Sequence, residues 1–462
     1  MTSPIGLEVP AAPANQVAKH SALLAVSAGM VGVLSYVCTL LMAHLLPAAQ
    51  YTQYAAAQML VGIVGIVAHA LLPLPLAALV RRHGHGTAGR RDGMAFANLV
   101  SVAAGTVAGL VTGGITATFA PAHVAVATGV ASLVLFSVAP AQGWLQGELR
   151  FTRYALASIL EVAVRLGFSA VAVLLGWGPA GALLGFAVGG LVLVAGPLAM
   201  LRDVAWSPHV LRDRARWAET GDIALVQFVV SVLVGADVVL VAVLGSGTNA
   251  EAGFQALATL AKGPVYVAAG TVLVAFPLLR AGARDVLAPA LQSFTAMSLT
   301  AAVALATVPT SLVMLFLPER YLGSTTLLPA LAAAGLGYGA VTVLATVLLA
   351  LKMTRRTHIA LVASTVLLAA GLGVGWALDG VAGLAVGAAT GALVATLVLA
   401  LLAAPALSGE IVRSTARAAL VAAVLLVVLL FTASVPVLWL ACAAVGGVLA
   451  LRPDLVRKVV RR

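Results

Sequence analysis

Four charged side chains stand where charge is costly. Glu161 and Arg165 lie four residues apart in the apolar run from Phe151 to Phe168. Asp237 and Lys262 lie in two further apolar runs, one on each side of the turn-forming stretch GSGTNAEAG from Gly245 to Gly253. A charge at the centre of a membrane helix costs roughly 2.5 to 3.5 kcal/mol, so each needs a partner, a cavity or a function. An acid four residues before a base puts both on one helical face. The first pair is therefore either a self-neutralising structural ion pair or part of a polar path for cargo. Asp237 and Lys262, at comparable distances from their shared turn, can meet as a salt bridge between antiparallel helices. Such a pair couples movement to an ion gradient if it breaks and reforms or if Asp237 takes a proton; otherwise it is a static lock. Lys262 alone could attract an anionic head group. Gln58, His69, Asn98 and Gln227 add uncharged polar groups within apolar runs, and Asp222 stands near the start of one.

Other chemistries lack their residues. His83-Gly84-His85 has a metal-like spacing, but no carboxylate or cysteine cluster completes a site, and a solvated basic loop accounts for it. There is no P-loop, nucleophile elbow or zincin helix. Cys38 and Cys442 both fall inside apolar runs and support neither a disulfide nor a metal site. The longest polar segment, 202–217, is too short to fold as a catalytic domain. We expect a non-enzyme without metal or other cofactor.

The elements that must position these residues are membrane helices. Of 462 residues, 62% are hydrophobic and 9% charged, against roughly 25% charged in a soluble domain. Apolar runs of about 20 residues, each enough to cross a bilayer as a helix, follow one another. We place fourteen spans at 21–46, 53–80, 94–119, 122–147, 153–176, 179–201, 218–244, 252–279, 288–317, 326–351, 357–377, 380–404, 416–432 and 435–451. The basic residues test this count, because cytoplasmic loops collect Lys and Arg. With fourteen spans, 23 of the 26 basic residues fall on one side, Arg320 alone falls on the other, and Arg165 and Lys262 remain in the membrane. Both termini are then expected in the cytoplasm. The net charge of +11 is a topology signal facing anionic lipid and calls for no nucleic acid.

The chain repeats itself. LRFTR from Leu149 returns as LKMTR from Leu351, and GPAGALLGFAVGGLV from Gly178 returns as GVAGLAVGAATGALV from Gly380. The ungapped alignment of 149–192 with 351–394 has 13 identities, where so biased a composition gives roughly five by chance. A 202-residue offset covers six spans, an even number, so the copies share orientation. The expected fold is an all-α polytopic membrane protein in five parts: a tail at 1–20, an N-lobe at 21–201, a linker at 202–217, a C-lobe at 218–404, and two further helices with a basic tail at 405–462. The charge pair at 161 and 165 is private to the first lobe, its counterparts being Ala363 and Leu367.

Four segments carry a family resemblance: LLMAHLLPAAQYTQYAAAQML from Leu40, VLVGADVVLVAVLGSGTNAEAGFQALATLAK from Val232, VLVAFPLLR from Val272 and FLPERYLGSTTLLPAL from Phe316. They resemble the bacterial polysaccharide flippases of the Wzx type, in the superfamily that also holds multidrug and toxin extrusion transporters and lipid II flippases. Asp237 matches that family's span-seven aspartate, Phe276-Pro277 its span-eight ending, and Glu319 to Gly323 its external turn. Gly253-Phe254 departs from a Gly-x-Tyr pattern, and spans one and two lack the arginines expected of a lipid II flippase. The resemblance implies a protein of the bacterial inner membrane that passes a polyprenyl-diphosphate-linked oligosaccharide to the external leaflet by alternating access. It implies membrane lipids, and glycosyltransferases or a polysaccharide polymerase, as partners. Arg165, Lys262, Asn98 and Gln58 are then the expected cargo contacts, and Asp237 and Glu161 the expected ion-coupling groups. The rivals are a cation-coupled drug antiporter of the same superfamily and, from other classes, a membrane-embedded glycosyltransferase or polymerase or a non-transporting cell-wall scaffold.

Overall fold

A computed structural model of the chain describes residues 14–83, 87–195, 206–212, 214–280, 282–404 and 409–451. Gly84 and His85, the tails at 1–13 and 452–462, and parts of the 202–217 linker lie outside the described residues. Regular structure among the described residues is helical throughout.

The first half is built from α1 (Ala14–Leu45), α2 (Ala48–Leu71), α3 (Pro73–Arg82), α4 (Ala88–Thr116), α5 (Ala122–Gly147), α6 (Phe151–Leu174) and α7 (Gly178–Ala195). The second half follows with α8 (Arg214–Leu244), α9 (Asn249–Ala261), α10 (Gly263–Arg280), α11 (Leu287–Thr307), the single turn α12 (Thr310–Val313), α13 (Leu328–Ala350) and α14 (Thr354–Ala403). Two last helices are α15 (Gly409–Thr432) and α16 (Pro436–Leu451). Nine of the described helices are long and apolar enough to cross a membrane. One of them, α14, is two passes, reversing at Asp379 and Gly380, where Gly380 takes φ +50°.

The sixteen helices match the fourteen expected spans once three proline effects are included. Proline lacks an amide hydrogen and constrains the residue before it. The second span begins earlier than expected and is broken at Leu72, before Pro73 at the first position of α3. The eighth is broken at Lys262, before Gly263-Pro264, so the buried cation stands at the break itself. The ninth, expected to run to 317, stops at Thr307; Val308 is extended before Pro309, and the chain continues through α12 and a 3-10 segment at Glu319–Leu327.

The internal repeat appears in backbone geometry. Leu149 and Lys352 are the non-glycine residues with positive φ among the described residues, at +56° and +60°. Each ends a helix in the same way. The Arg150 amide donates back to the Leu145 carbonyl and the Leu149 amide to Gln146, while Met353 donates to Leu348 and Lys352 to Leu349. This is the αL helix ending that normally uses glycine. Its two copies are one residue out of step with the 202-residue alignment, which returns to register at Gly178 and Gly380, with φ of +55° and +50°. The matching glycines do matching work. A Cβ on Gly185 would stand 2.9 Å from the Arg165 carbonyl of α6, and one on its counterpart Gly387 would meet the Gly371 carbonyl across the α14 reversal.

Within the first half α1 packs on α6, α4 on α5, and α7 on α5 and α6; within the second α13 packs on α10, α11 and α14. The halves meet along α2, which runs against α8 and α9. The helices α15 and α16 lean on α11, where the Trp439 indole donates to Thr307 Oγ1 at 3.2 Å. Large apolar side chains such as Leu110, Leu156, Phe431 and Val437 point outward, as a lipid-facing surface requires.

Leu149 carries the left-handed strain without a glycine's freedom, at a cost of roughly 1 to 2 kcal/mol. Leu149→Gly should therefore raise the thermal unfolding temperature of the detergent-solubilised protein, by about 1 kcal/mol of stability. An unchanged or lower melting temperature contradicts this reading of the turn.

Candidate functional site

The second-half pair is positioned from the loop upward. Thr248 caps α9, and the Glu251 carboxylate accepts hydrogen bonds from the amides of Ser246, Gly247 and Thr248, closing a capping box that fixes where α9 starts. One turn on, Gln255 Nε2 donates to the Val238 carbonyl at 2.8 Å, tying α9 to α8 beside Asp237. The helix then breaks at Lys262, whose Nζ donates to Asp237 Oδ1 at 2.9 Å. Side-chain exposures of 7% and 1% make this a dry ion pair. The Tyr338 ring on α13 lies 5.8 Å from the ammonium, within cation–π range. Glycines let α13 cover the carbonyls at the break: a Cβ on Gly335 would overlap the Ala261 carbonyl, and one on Gly339 would stand 2.7 Å from that of Pro264.

The first-half pair also forms, more loosely. Arg165 Nη1 is 3.6 Å from Glu161 Oε1. Arg165 Nη2 donates to Ser35 Oγ on α1 at 2.8 Å, and its guanidinium lies 4.5 Å from the Phe186 ring of α7. Arg165 Nε and Glu161 Oε1 are buried without a hydrogen-bond partner. Ser35, Cys38 and Thr39 share one face of α1. Gln58 Nε2 donates to Thr39 Oγ1 at 3.2 Å, and Tyr54 OH lies 3.9 Å from Cys38 Sγ. Gln58 thus belongs to the same polar strip as Arg165.

Asn98 does not. It is buried in α4, between Ala97 and Val100, which pack with Leu72, Leu76 and Trp144 in a separate apolar cluster. Asp222 and His358 face each other at 4.0 Å at the basic-loop end of α8, and Gln227 is half-buried on the same helix. His69, on α2, donates from Nδ1 to the Gly65 carbonyl of its own helix at 2.7 Å.

Two features escape the sequence reading. The first is a latch on the loop-poor side. Arg320 Nη2 donates to the carbonyls of Ala43 and Leu46, at 2.5 and 2.9 Å, at the end of α1. The Tyr321 ring packs 6.1 Å from Tyr51, and a Cβ on Gly247 would touch Ala49. Arg320 carried a signal: it is the one basic residue assigned to that side. The second is a bridge in which Tyr36 of α1 donates to the Thr259 carbonyl of α9 at 3.3 Å and packs 5.4 Å from Tyr266 of α10. Tyr266 is 53% exposed, so it stands at the seam between the halves with half its surface open. The halves are joined by the bridge and the latch.

Known structures share this fold. A lipid II flippase MurJ in an inward closed conformation superimposes with TM-score 0.71 at 14% identity, over 94% of this chain and 99% of that one. An inward-facing multidrug resistance MATE transporter of the MOP superfamily gives 0.60 at 13% identity, over 86% and 98%. A MOP superfamily transporter from Pyrococcus furiosus, described by a binding pocket of reversed polarity, gives 0.59 at 14%, over 87% and 96%. No protein-family model and no curated protein matches the sequence. The chain has the polytopic all-helical fold of these MOP superfamily transporters.

The dry pair and the latch each generate an expected outcome. Lys262→Met should destabilise the protein by about 3 to 5 kcal/mol by stranding Asp237, and adding Asp237→Asn should recover most of the loss. Thermal melting of the two single variants and the double variant checks this; additive losses would show that the residues are not paired. Arg320→Ala removes charge-assisted bonds worth about 1.5 to 3 kcal/mol each, so spin labels at Ala49 and Ser246 should report a wider separation than in the parent. An unaltered distance distribution would show that the latch does not hold the halves together.

Proposed function

We propose that the protein is a transporter that moves a polyprenyl-diphosphate-linked oligosaccharide from the cytoplasmic to the external leaflet of a bacterial inner membrane by alternating access. Residues 21–201 and 218–404 act as its two lobes, the basic-loop end and both termini face the cytoplasm, and α15 and α16 are an appendage. The observation that carries the reading is a bridge and a latch that close the halves against each other, with a buried cation, Arg165, bonded to Ser35 next to the bridging Tyr36. A glycan and a diphosphate cannot cross hydrocarbon unaided, while the polyprenol never needs to leave it. A clamp with few charges and an opening to lipid is sufficient.

Arg165, with Gln58 beside it, is the first contact for diphosphate or acidic sugar. Lys262 is committed to Asp237, so it reaches cargo only by exchanging partners, and that exchange is the coupling step we assign to the Asp237 pair. Glu161, bonded more loosely, is the second coupling group. Asn98, packed into the α4 core, is assigned no cargo contact. Enzymes that build or polymerise the glycan would supply and consume this cargo.

The MATE likeness and the buried acid Glu161 favour one rival, cation-coupled drug efflux. A strain lacking the gene separates the two readings. The proposal predicts that lipid-linked oligosaccharide accumulates inside and surface glycan falls, with drug sensitivity unchanged. Arg165→Ala should restore less than about a tenth of surface glycan, the loss of one charged contact, while reaching the membrane normally. Drug hypersensitivity with normal surface glycan would replace this reading with the rival, and full restoration by both Arg165→Ala and Lys262→Met would reject the site.

A further inference from the structure

The groups assigned so far bind charge, and none of them recognises a sugar. Tyr266 has the surroundings for that role. It projects from α10 at the seam between the halves, against Tyr36 of α1, with half its surface open. Its neighbours on the same helical face are Gly263, three residues before, and Gly270, four residues after. Nothing lies within 4 Å of where a Cβ would stand at either. The ring is thus a flat surface with the helix cleared on both sides of it.

One edge of the ring is held. Tyr36 packs against it at 5.4 Å with an interplanar angle of 58° and is itself anchored to Thr259, so the platform keeps its orientation without its open face being covered. Arg165 donates to Ser35, the residue before Tyr36 in α1, which sets a cation close to the paired rings. A pyranose has two unlike surfaces: hydroxyls around its rim, and a patch of axial C–H bonds on its face that is apolar and slightly positive. That face matches the negative face of an aromatic ring. A diphosphate attached to the sugar would lie to one side, toward a cation.

We infer that Tyr266 is the sugar-stacking platform of this transporter, taking the pyranose next to the diphosphate on its open face while Arg165 takes the phosphate side. This rests on the lipid-linked glycan reading above and adds to it a recognition element for the sugar, independent of charge.

The test uses the full-length protein in lipid nanodiscs and two probes: polyprenyl diphosphate, and polyprenyl diphosphate carrying one glucose. Binding is measured for the parent, Tyr266→Phe, which keeps the ring, and Tyr266→Leu, which keeps bulk and apolarity without it. The parent should bind the glucosylated lipid about tenfold more tightly than the bare one, the scale of one aromatic contact. Tyr266→Phe should keep that preference and Tyr266→Leu should lose it, with bare-lipid affinity equal in all three. A preference that survives in Tyr266→Leu, or a parent that binds both lipids equally, overturns the platform and leaves the transporter reading standing. A parent that binds neither lipid overturns the lipid-linked reading and the platform with it.

Discussion

An ammonium group without water needs an anion at hydrogen-bond distance, and that constraint organises the second half of this protein. Lys262 stands at the break between α9 and α10 because Gly263-Pro264 cannot continue the ladder, and the break leaves backbone carbonyls as well as a charge to satisfy. Asp237 supplies the counter-charge at 2.9 Å, the Tyr338 ring lies beside the ammonium, and glycines on α13 allow helix backbone to seal the break. Gln255 and the Thr248–Glu251 capping box fix α9 against α8, so the aspartate and the lysine arrive at the same depth. In hydrocarbon each of these contacts lacks a solvent substitute, which makes the pair a unit.

The first half meets the same constraint less completely. Arg165 divides its guanidinium among Glu161, Ser35 and the Phe186 ring, and its Nε remains without a partner. A tightly satisfied charge is a lock, and a loosely satisfied one can accept a new ligand. That difference is the ground for our proposal that Asp237 and Lys262 do structural and coupling work and that Arg165 contacts cargo. The two regions communicate through α1, which carries Ser35 toward Arg165 and Tyr36 toward α9 and α10, and whose last carbonyls are held by Arg320. One helix thus connects the bridge to the latch.

Much of this was legible in residue order, and what was missed has physical reasons. The spans, the i,i+4 pair and the Asp237–Lys262 partnership follow from hydropathy, helical period and equal distance from a turn, all of which are local. The break at Lys262 was equally local, since Gly-Pro stands beside it, yet hydropathy averages across such a signal. The register slip at Leu149 and Lys352 was invisible because an αL helix ending in leucine or lysine has no distinctive composition. Asn98 and Gln58 are both amides in apolar runs, and only the folded chain shows that the one lies among the buried residues of α4 and the other bonds Thr39 of α1. Tyr36 and Tyr266 are more than 200 residues apart in sequence, and nothing but the folded chain brings them together.

We propose that cargo crosses by opening the seal between the halves on the loop-poor side. Flipping by the Ala49→Cys/Gly247→Cys variant, with Cys38 and Cys442 replaced by serine, tests it in proteoliposomes loaded with glucosylated polyprenyl diphosphate. Appearance of the glucose to an external glycosidase should stop when the cysteines are cross-linked and return on reduction. Undiminished flipping with the cross-link closed would contradict the account.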